Sequence, residues 1–304
     1  MNTPTATSTQ AESDNAVQSD APLVSTAWLA MRLSAPAVRV FDCTVHLRPA
    51  VPGPYVVESG RADYRAAHIP GAAFLDLMAL SDPASPLRFT LPSPAQLAAA
   101  FSAAGIGNEH TVVLYSSTTP MWATRVWWML RSAGHRMALV LDGGLVKWRT
   151  EGRVISNETT EHLPAHFVSA TRPHDWATQR DVLNAIGDHS VCTLNALSHA
   201  LHTGQSDVNY GRKGHIAGSV NVPYASLLAA DGTYKHPDAL RAAFAAVGAM
   251  DQARVICYCG GGISATMDAL ALIIAGHPNV AIYDGSMSEW VKDPALPLKL
   301  GMQP

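Results

Sequence analysis

The chain has 304 residues, about twice the length of a typical domain, so two domains are expected. Hydrophobic residues make up 48% and charged residues only 15%, which supplies well-buried cores and excludes a disordered chain. The net charge of −3 excludes a global positive field for nucleic acid or an anionic membrane, and four cysteines are too few for a disulfide scaffold.

Residues 1–22 are rich in Ser, Thr, Asn, Gln and Ala and contain no Lys or Arg. A secretory signal needs a basic start and an apolar stretch, and a mitochondrial transit peptide needs arginines. No apolar run in the chain reaches the roughly 18 residues that predict a transmembrane helix. We therefore expect a flexible N-terminal tail and a cytoplasmic protein with reduced thiols that does not enter a membrane.

Beyond the tail, short apolar β-branched runs alternate with Ala- and Leu-rich stretches. This alternation is typical of parallel sheets that are covered by helices. The runs that predict buried strands are 38–43, 111–115, 138–141, 254–258 and 280–283. The stretches that predict helices are 93–104, 122–133, 238–247 and 264–275.

Three pairs of segments match in the same order along the two halves of the chain, which indicates two copies of one domain. The first pair is AHIPGAAFLDL with GHIAGSVNVPY, the second is VVLYSS with VICYCG, and the third is LVLDGGLVKW with AIYDGSMSEW. One such match could arise by chance, but three in the same order at nearly constant spacing could not.

The repeat predicts two α/β domains, each a mostly parallel sheet with helices on both faces. We place the flexible tail at 1–22, the first domain at 23–151 and the second domain at 174–304. The segment 152–173 mixes Thr, Ser, Glu, His and Pro without clear periodicity, and it is predicted to be the linker.

Cys259 falls at the carboxyl end of a predicted buried strand and is followed by three glycines, Ile263 and an apolar helix. Ligands of open α/β sheets bind just beyond the carboxyl ends of the strands. A tight turn at a helix N-terminus also gathers N–H groups that stabilise an anion. A thiolate at this point is therefore expected to be stabilised and to act as a nucleophile at neutral pH.

Other kinds of site fit this segment less well. A phosphate-binding loop needs a Lys after the glycines, and a cysteine phosphatase needs an Arg at the sixth position after the Cys, where Ala265 stands. Cys257 forms a C-x-C pair with Cys259, but no further metal ligands accompany the pair, so we predict core packing for Cys257 and no metal site. A buried structural role for Cys259 stays open, although its position at a strand-to-helix turn disfavours that role.

The segment Y-C-G-G-G-I-S-A, preceded by G-H-I-A-G-S-V-N-V-P and followed by Y-D-G-S-M-S-E-W, resembles the rhodanese family of sulfurtransferases. The first copy adds H-I-P-G-A, R-V-W-W-M-L-R-S-A-G-H and L-D-G-G-x-x-x-W, so the chain is similar to the tandem thiosulfate and 3-mercaptopyruvate sulfurtransferases. The resemblance covers both copies and therefore implies the tandem fold as well as the reaction.

The resemblance implies that Cys259 receives the outer sulfur of a small-molecule donor as a persulfide. A thiophilic acceptor, such as cyanide, a thiol or thioredoxin, would then remove that sulfur, and no cofactor is implied. Loop N–H groups would stabilise the persulfide, and the Ser264 hydroxyl would donate to the sulfur or cap the following helix. The implied loop residues are Gly260, Gly261, Gly262, Ile263, Ser264 and Ala265.

The first copy has Ser116 at the position that Cys259 occupies in the second. No His or Lys lies next to Ser116 in sequence to act as its base, and a silent copy is usual in the tandem family. We therefore predict that the first domain is catalytically silent and that it forms a wall of the active-site cleft.

The chain departs from the family in the residues that hold the donor. Tandem members usually carry D-A-R and a second Arg before the G-H-I-x-G segment, whereas this chain has N-A-L at 195–197. Arg212 is the candidate clamp for the donor's anionic group, the alternative being a solvated surface residue. His68 is a candidate proton donor that reaches the cleft, and otherwise a structural residue at a strand start.

The glycines that follow Cys259 lack the two cations of the thiosulfate-type loop and the serine of the mercaptopyruvate-type loop. We therefore expect 3-mercaptopyruvate, whose single carboxylate Arg212 would hold, to be preferred over thiosulfate. The missing arginines also leave open a non-catalytic persulfide carrier or binding module.

Overall fold

The computed structural model describes residues 22–48 and 55–304, so the predicted tail lies outside the described residues except for Pro22. The strands of the first domain are β1 (Leu23–Val24), β2 (Val38–Asp42), β3 (Val45–Arg48), β4 (Val56–Ser59), β5 (Ala73–Phe74), β6 (Thr111–Tyr115) and β7 (Ala138–Leu141). Its helices are α1 (Thr26–Ala30), α2 (Arg61–Ala66), α3 (Pro94–Ala103), α4 (Met121–Ser132) and α5 (Gly144–Thr150).

The second domain repeats this arrangement. Its strands are β8 (Trp176–Ala177), β9 (Val191–Asn195), β10 (His215–Ile216), β11 (Ser219–Asn221), β12 (Arg254–Tyr258), β13 (Val280–Tyr283) and β14 (Leu298–Lys299). Its helices are α6 (Gln179–Ala185), α7 (His199–Thr203), α8 (Pro237–Ala245), α9 (Ala265–Ile274) and α10 (Ser286–Trp290). Short 3-10 turns lie at Pro173–Asp175, Tyr224–Leu227 and Ala249–Asp251.

Each domain has a five-stranded sheet in which all neighbouring strands are parallel. The order is β1-β7-β6-β2-β5 in the first domain and β8-β13-β12-β9-β11 in the second, so β6 and β12 occupy the same central position. The shared order confirms the prediction of two copies of one α/β domain. Two antiparallel pairs, β3 with β4 and β10 with β14, lie outside the main sheets.

The two domains pack together through α4 and α9, the helices that follow the two central strands. Both helices are apolar around most of their circumference, because one face packs on the helix's own sheet and the other meets the partner helix. The Thr124 and Thr266 hydroxyls lie 2.7 Å apart across this contact. One apolar core therefore runs through both domains.

The predicted linker 152–173 runs along the first domain, where Ser156 bridges to His68 and Thr160 to Ala73. The domain boundaries themselves stay predictions. No helix within 22–48 and 55–304 is both long enough and apolar enough to cross a bilayer.

The Asp of each D-G-x-x-x-W segment fastens one domain to the other. Asp142 Oδ1 accepts the Tyr234 N–H at 2.9 Å, and Asp284 Oδ2 accepts the Leu91 N–H at 2.8 Å. Each copy therefore accepts a backbone N–H of the other, which gives a reason in the fold for an Asp in both copies. We call these two hydrogen bonds the reciprocal clasp.

Burial gives Asp142 an unusual titration. It raises the pKa of this carboxyl from 3.8 to about 6 in the folded protein, although the Tyr234 N–H opposes the shift. Because the folded-state pKa is raised, the contribution of Asp142 to stability is full below its ordinary pKa and is lost as the pH rises through about 6.

Asp142→Asn keeps an Oδ1 acceptor for Tyr234 and carries no charge to desolvate. We compare the free energies of unfolding of the variant and the wild type. Their difference is expected to shift in favour of the variant by about 1–2 kcal/mol between about pH 4 and pH 8. This is less than the full pKa shift would give, because the side chain is only half-buried and solvent screens its charge. Urea titrations across that pH range measure the difference. A difference that does not change with pH contradicts the prediction.

Candidate active site

Cys259 directly follows β12, and the loop after it leads into α9. A Cβ on Gly260 would collide with the Tyr210 hydroxyl, and one on Gly262 would lie 2.7 Å from the Asp284 carbonyl oxygen. Gly262 also has a φ of +73°, in the left-handed region that favours glycine. A Cβ on Gly261 would meet only the Ser288 Oγ, at 3.8 Å. Two of the three glycines are therefore required by tight packing, as in a fixed loop rather than a flexible linker.

The D-G-S-M-S-E-W segment holds this loop from the side. Ser286 Oγ accepts the N–H groups of Cys259 and Gly262, both at 3.1 Å, and donates to the Tyr283 carbonyl at 2.7 Å. The Gly260 carbonyl accepts the Ser288 N–H at 2.8 Å. The Gly262 N–H is thus engaged by Ser286, so its predicted part in stabilising a persulfide is wrong.

Five amides of the loop have no protein partner in the part of the chain that the structure describes. They belong to Gly260, Gly261, Ile263, Ser264 and Ala265. Gly260 and Gly261 lie in the loop that leads into α9, and the other three lie at its start, where the helix dipole adds partial positive charge. Such donors stabilise negative charge on an adjacent sulfur.

Ser264 does not cap the helix that follows it. It occupies the N-cap position of α9, but its side chain makes no capping hydrogen bond. It lines the same cavity as Cys259. Of the two roles that the sequence left open, the placement favours a hydroxyl facing the substrate.

The other three cysteines are held as neutral thiols. Burial raises the pKa of Cys192 to about 12, and it raises the pKa values of Cys43 and Cys257 well above their ordinary value. Cys257 is fully buried in the core, in agreement with its predicted packing role. Cys259 differs from all three because it lines a cavity.

That cavity, of about 830 Å³, lies between the two domains. Its walls are mostly apolar and include Leu47, Val57 and Phe89 from the first domain and Leu197, Val208 and Tyr210 from the second. The charged side chains that line it are Arg88, Asp207 and Lys292. All three are exposed, so the charge lies at the cavity mouth. The first domain thus walls the cleft, as the sequence predicted.

Arg212 does not reach this cavity, and its assignment as the anion clamp is wrong. Its Nη1 donates to the carbonyl oxygens of Asp293 and Leu296, both at 3.0 Å. The guanidinium therefore ties the segment around Arg212 to the backbone at 293–296. The cations that do line the cavity are Arg88 and Lys292. Sequence reasoning missed both, because Arg88 comes from the other copy and Lys292 follows a segment that was interpreted as structural.

His68 also lies away from the cavity, so its predicted role as a proton donor in the cleft is wrong. It is fully buried, with Nδ1 2.6 Å from the Tyr64 carbonyl and Nε2 3.0 Å from the Glu158 carbonyl. His215, its counterpart in the second copy, bridges two carbonyls in the same way, at 2.9 and 3.1 Å. In both copies the imidazole therefore holds backbone segments together.

Arg125 is a residue of the site that sequence reasoning missed. Its guanidinium is fully buried on α4 and forms an ion pair with Asp284 at 2.7 Å. It also donates to the carbonyls of Gly262 at 3.2 Å and Phe89 at 2.6 Å, and it lies 4.8 Å from the centre of the Trp176 ring. One side chain of the first domain thus holds the loop of the second. Its signal in the sequence was a single charge inside the apolar run M-W-A-T-R-V-W-W-M-L.

Ser116 directly follows β6, as Cys259 directly follows β12, but the surroundings of the two residues differ. Its Oγ accepts the Thr118 N–H at 3.2 Å and lies 3.5 Å from the Thr44 Oγ1. It lines a separate cavity of about 450 Å³, and no imidazole, amine or carboxylate among the described residues is hydrogen-bonded to its hydroxyl. This placement supports a silent first copy. Within the described ranges, no three His, Cys, Asp or Glu side chains cluster as metal ligands would.

Comparison with known proteins yields a matching family model and relatives that align with about nine-tenths of the chain. A family model described as a rhodanese-like domain matches residues 25–151 and 203–293. The chain is 36% identical over 277 residues to thiosulfate sulfurtransferase of Bos taurus, covering 88% of this chain and 91% of that protein. It is 33% identical over 274 residues to 3-mercaptopyruvate sulfurtransferase of Escherichia coli strain K12, covering 90% of this chain and 95% of that protein.

Solved structures give the same result. The crystal structure of SseA from Escherichia coli, described as a 3-mercaptopyruvate sulfotransferase, matches with a TM-score of 0.77 and 32% identity, covering 88% of this chain and 99% of that chain. Tum1 of Saccharomyces cerevisiae matches with a TM-score of 0.79 over 93% of this chain and 98% of that chain. At 22% identity, the second match shows the fold alone.

Proposed function

Since the chain belongs to the rhodanese family and is a sulfurtransferase, we propose that it passes a sulfane sulfur from 3-mercaptopyruvate or thiosulfate to a thiophilic acceptor through a persulfide on Cys259. One observation carries the proposal. Of the four cysteines, Cys259 is the one that lines the interdomain cavity, beside loop amides that donate to no described protein acceptor.

In the first half-reaction the Cys259 thiolate attacks the outer sulfur of the donor and forms an S–S bond. With thiosulfate, the old S–S bond breaks and sulfite leaves with the electron pair. With 3-mercaptopyruvate, the C–S bond breaks and the pyruvate enolate leaves and takes up a proton. The unpartnered N–H groups of the loop and the Ser264 hydroxyl stabilise the charge on the transferred sulfur.

In the second half-reaction the acceptor attacks the outer sulfur of the persulfide. Cyanide, a small thiol or the thiolate of a thioredoxin can act in this way. The S–S bond to Cys259 breaks, and its electron pair returns to the Cys259 Sγ. The same loop amides then stabilise the released thiolate, so one set of donors serves both half-reactions.

The direct test is the mass of the protein after exposure to a donor. We expect incubation with 3-mercaptopyruvate or thiosulfate to add one sulfur atom to the peptide that contains Cys259, and cyanide to remove it as thiocyanate. Turnover with cyanide separates an enzyme from a persulfide carrier. A protein that gains no sulfur, or gains it on the peptide of Cys192, contradicts the proposal.

The donor with a carboxylate is expected to be preferred. Positions 260 and 261 are glycines, and each missing charged hydrogen bond to a dianion costs about 1.5–3 kcal/mol. A single carboxylate can instead be held at the cavity mouth by Arg88 or Lys292. We expect a higher kcat/KM for 3-mercaptopyruvate than for thiosulfate, measured side by side. Faster turnover of thiosulfate contradicts this preference and leaves the sulfurtransferase activity standing.

Substitutions of Arg88 and Arg212 test which of the two side chains holds the carboxylate of the donor. Arg88→Gln is expected to raise the KM for 3-mercaptopyruvate by about fivefold, the value of one partly solvated ion pair. Arg212→Gln is the matched control, because its guanidinium is held by backbone carbonyls outside the cavity. A larger KM effect at Arg212 than at Arg88 contradicts the assignment.

A further inference from the structure

Two residues other than glycine have a positive φ within the described parts of the chain, and both border the active site. Ser286, at +48°, holds the amides of Cys259 and Gly262. Phe89, at +62°, lines the cavity that Cys259 also lines. A bulky aromatic residue rarely adopts the left-handed region, because its Cβ crowds the backbone there. Such conformations persist where the surrounding structure holds them, and they cluster at functional sites.

Phe89 belongs to a loop of the first domain, residues 82–91, which we call the strap. The Asp82 N–H donates to the Thr90 carbonyl at 2.9 Å and closes this loop at its base. Four consecutive residues of the strap, 86–89, line the cavity. An extended segment would not present all four, because successive side chains of a strand point to opposite sides. The turn at Phe89 therefore lets neighbouring side chains face the same cavity.

A buried ion pair holds the strap in this conformation. Arg125, which is fully buried, donates to the Phe89 carbonyl at 2.6 Å. Asp284, the partner of Arg125 at 2.7 Å, accepts the Leu91 N–H at 2.8 Å. The Phe89 ring also packs against the Trp122 ring, with the ring centres 5.7 Å apart. The backbone that follows the left-handed residue is therefore fixed at two points.

Arg88 directly precedes Phe89, so the direction of its side chain depends on the turn. Its Nη1 donates to the Tyr55 carbonyl at 2.7 Å, and its side chain lines the mouth of the cavity. A negative φ at position 89 would rotate the chain before this residue relative to the chain after it. Because the chain after Phe89 is anchored, the segment that carries Arg88 would have to move.

We propose that Phe89 is a positioning residue for the sulfur donor, because its left-handed backbone turns the strap so that Arg88 faces the cavity. The donor's carboxylate then lies at Arg88 while its sulfur reaches Cys259. This inference rests on the proposed function, since Arg88 holds a donor only if Cys259 takes the donor's sulfur. Phe89 acts through Arg88, so its backbone affects the binding of the donor rather than the transfer of sulfur.

The test compares two substitutions that both remove the ring but differ in the backbone that they allow. Asn adopts the left-handed region more readily than most residues, whereas the β-branched side chain of Thr disfavours it. We expect Phe89→Thr to raise the KM for 3-mercaptopyruvate about fivefold over that of Phe89→Asn, the effect of losing Arg88, with kcat within about twofold. Phe89→Val repeats the test without a hydroxyl group. Thermal unfolding confirms that each variant is folded.

A double-mutant cycle shows whether Phe89 acts through Arg88. If it does, adding Arg88→Gln to Phe89→Thr leaves the KM about fivefold above that of Phe89→Asn, whereas independent effects would multiply to about 25-fold. Ala84→Val is the control, because it places a β-branched side chain at an exposed residue of the strap that has a negative φ and does not line the cavity. Its KM should match that of the wild type.

The outcomes separate this inference from the proposed function. A protein that gains no sulfur from either donor overturns both. An unchanged KM in Arg88→Gln overturns the assignment of Arg88 and the role of Phe89 with it, while sulfur transfer stands. Equal KM values in Phe89→Asn and Phe89→Thr, or effects that multiply in the cycle, overturn the role of Phe89 alone. A fall in kcat at an unchanged KM also overturns that role, because it would show damage to the catalytic loop instead of weaker binding of the donor.

Discussion

Replacing Cys259 with serine is expected to abolish sulfur transfer while the protein keeps its fold. Among the residues that the structure describes, the cavity lining contains no His or Glu, and its one carboxylate, Asp207, lies at the exposed mouth. A serine hydroxyl at this point therefore has no general base beside it, and we expect kcat to fall by at least about 1,000-fold. Thiocyanate release measures turnover, and thermal unfolding confirms the fold.

Two variants serve as controls for this result. Cys257→Ala changes a buried neutral thiol and is expected to retain turnover. Ser116→Ala changes the equivalent position of the copy that is predicted to be silent, and it is expected to alter activity by less than about tenfold, or roughly 1.4 kcal/mol. If Cys259→Ser kept substantial activity and Cys257→Ala lost it, the assignment of the transferred sulfur to Cys259 would be wrong. Loss in Ser116→Ala would mean that the first copy takes part in the chemistry.

Replacing Arg125 with methionine should have the largest effect on stability. The change leaves the Asp284 carboxylate without its buried partner, and breaking a buried ion pair in this way costs about 3–5 kcal/mol. It also releases the Gly262 carbonyl, so the loop that carries Cys259 loses a contact. We expect a lower free energy of unfolding in urea and a reduced kcat in the protein that remains folded.

Arg153→Met is the matched control for burial. Arg153 also forms an ion pair at 2.7 Å, with Glu151, and lies 5.3 Å from the centre of a Trp ring, but both partners of the pair are partly exposed. Removing a pair of this kind costs no more than about 1 kcal/mol. Equal losses in the two variants would show that burial of Arg125 contributes nothing.

The regular elements were predictable because they follow periodic burial. The strands Thr111–Tyr115 and Arg254–Tyr258 begin and end where the apolar runs do, since both lie in the middle of their sheets and are covered on both faces. The helix Ala265–Ile274 lies within one residue of its predicted bounds at each end. Cys259 was predictable for the same reason, because a strand, a glycine turn and a helix are adjacent in sequence.

The errors at Arg212 and His68 have one physical cause. Both side chains are held by backbone carbonyls that are remote in sequence, Arg212 by Asp293 and Leu296 and His68 by Glu158. Every residue carries a carbonyl group, so residue types do not indicate which carbonyl will accept. Arg125 escaped notice for a related reason, because its carboxylate partner lies 159 positions away in the other copy.

The reciprocal clasp makes each domain depend on the other, because each provides a hydrogen-bond acceptor for a backbone N–H of its neighbour. Separating the two copies would take the Tyr234 N–H from the Asp142 carboxylate and the Leu91 N–H from the Asp284 carboxylate. The second domain alone would also lack Arg125 and one wall of the cavity that Cys259 lines. The first domain, which has Ser116 where the second has Cys259, thus supplies part of the second domain's scaffold. We therefore expect changes around Ser116 to be tolerated, and deletion of the first domain to disable the second.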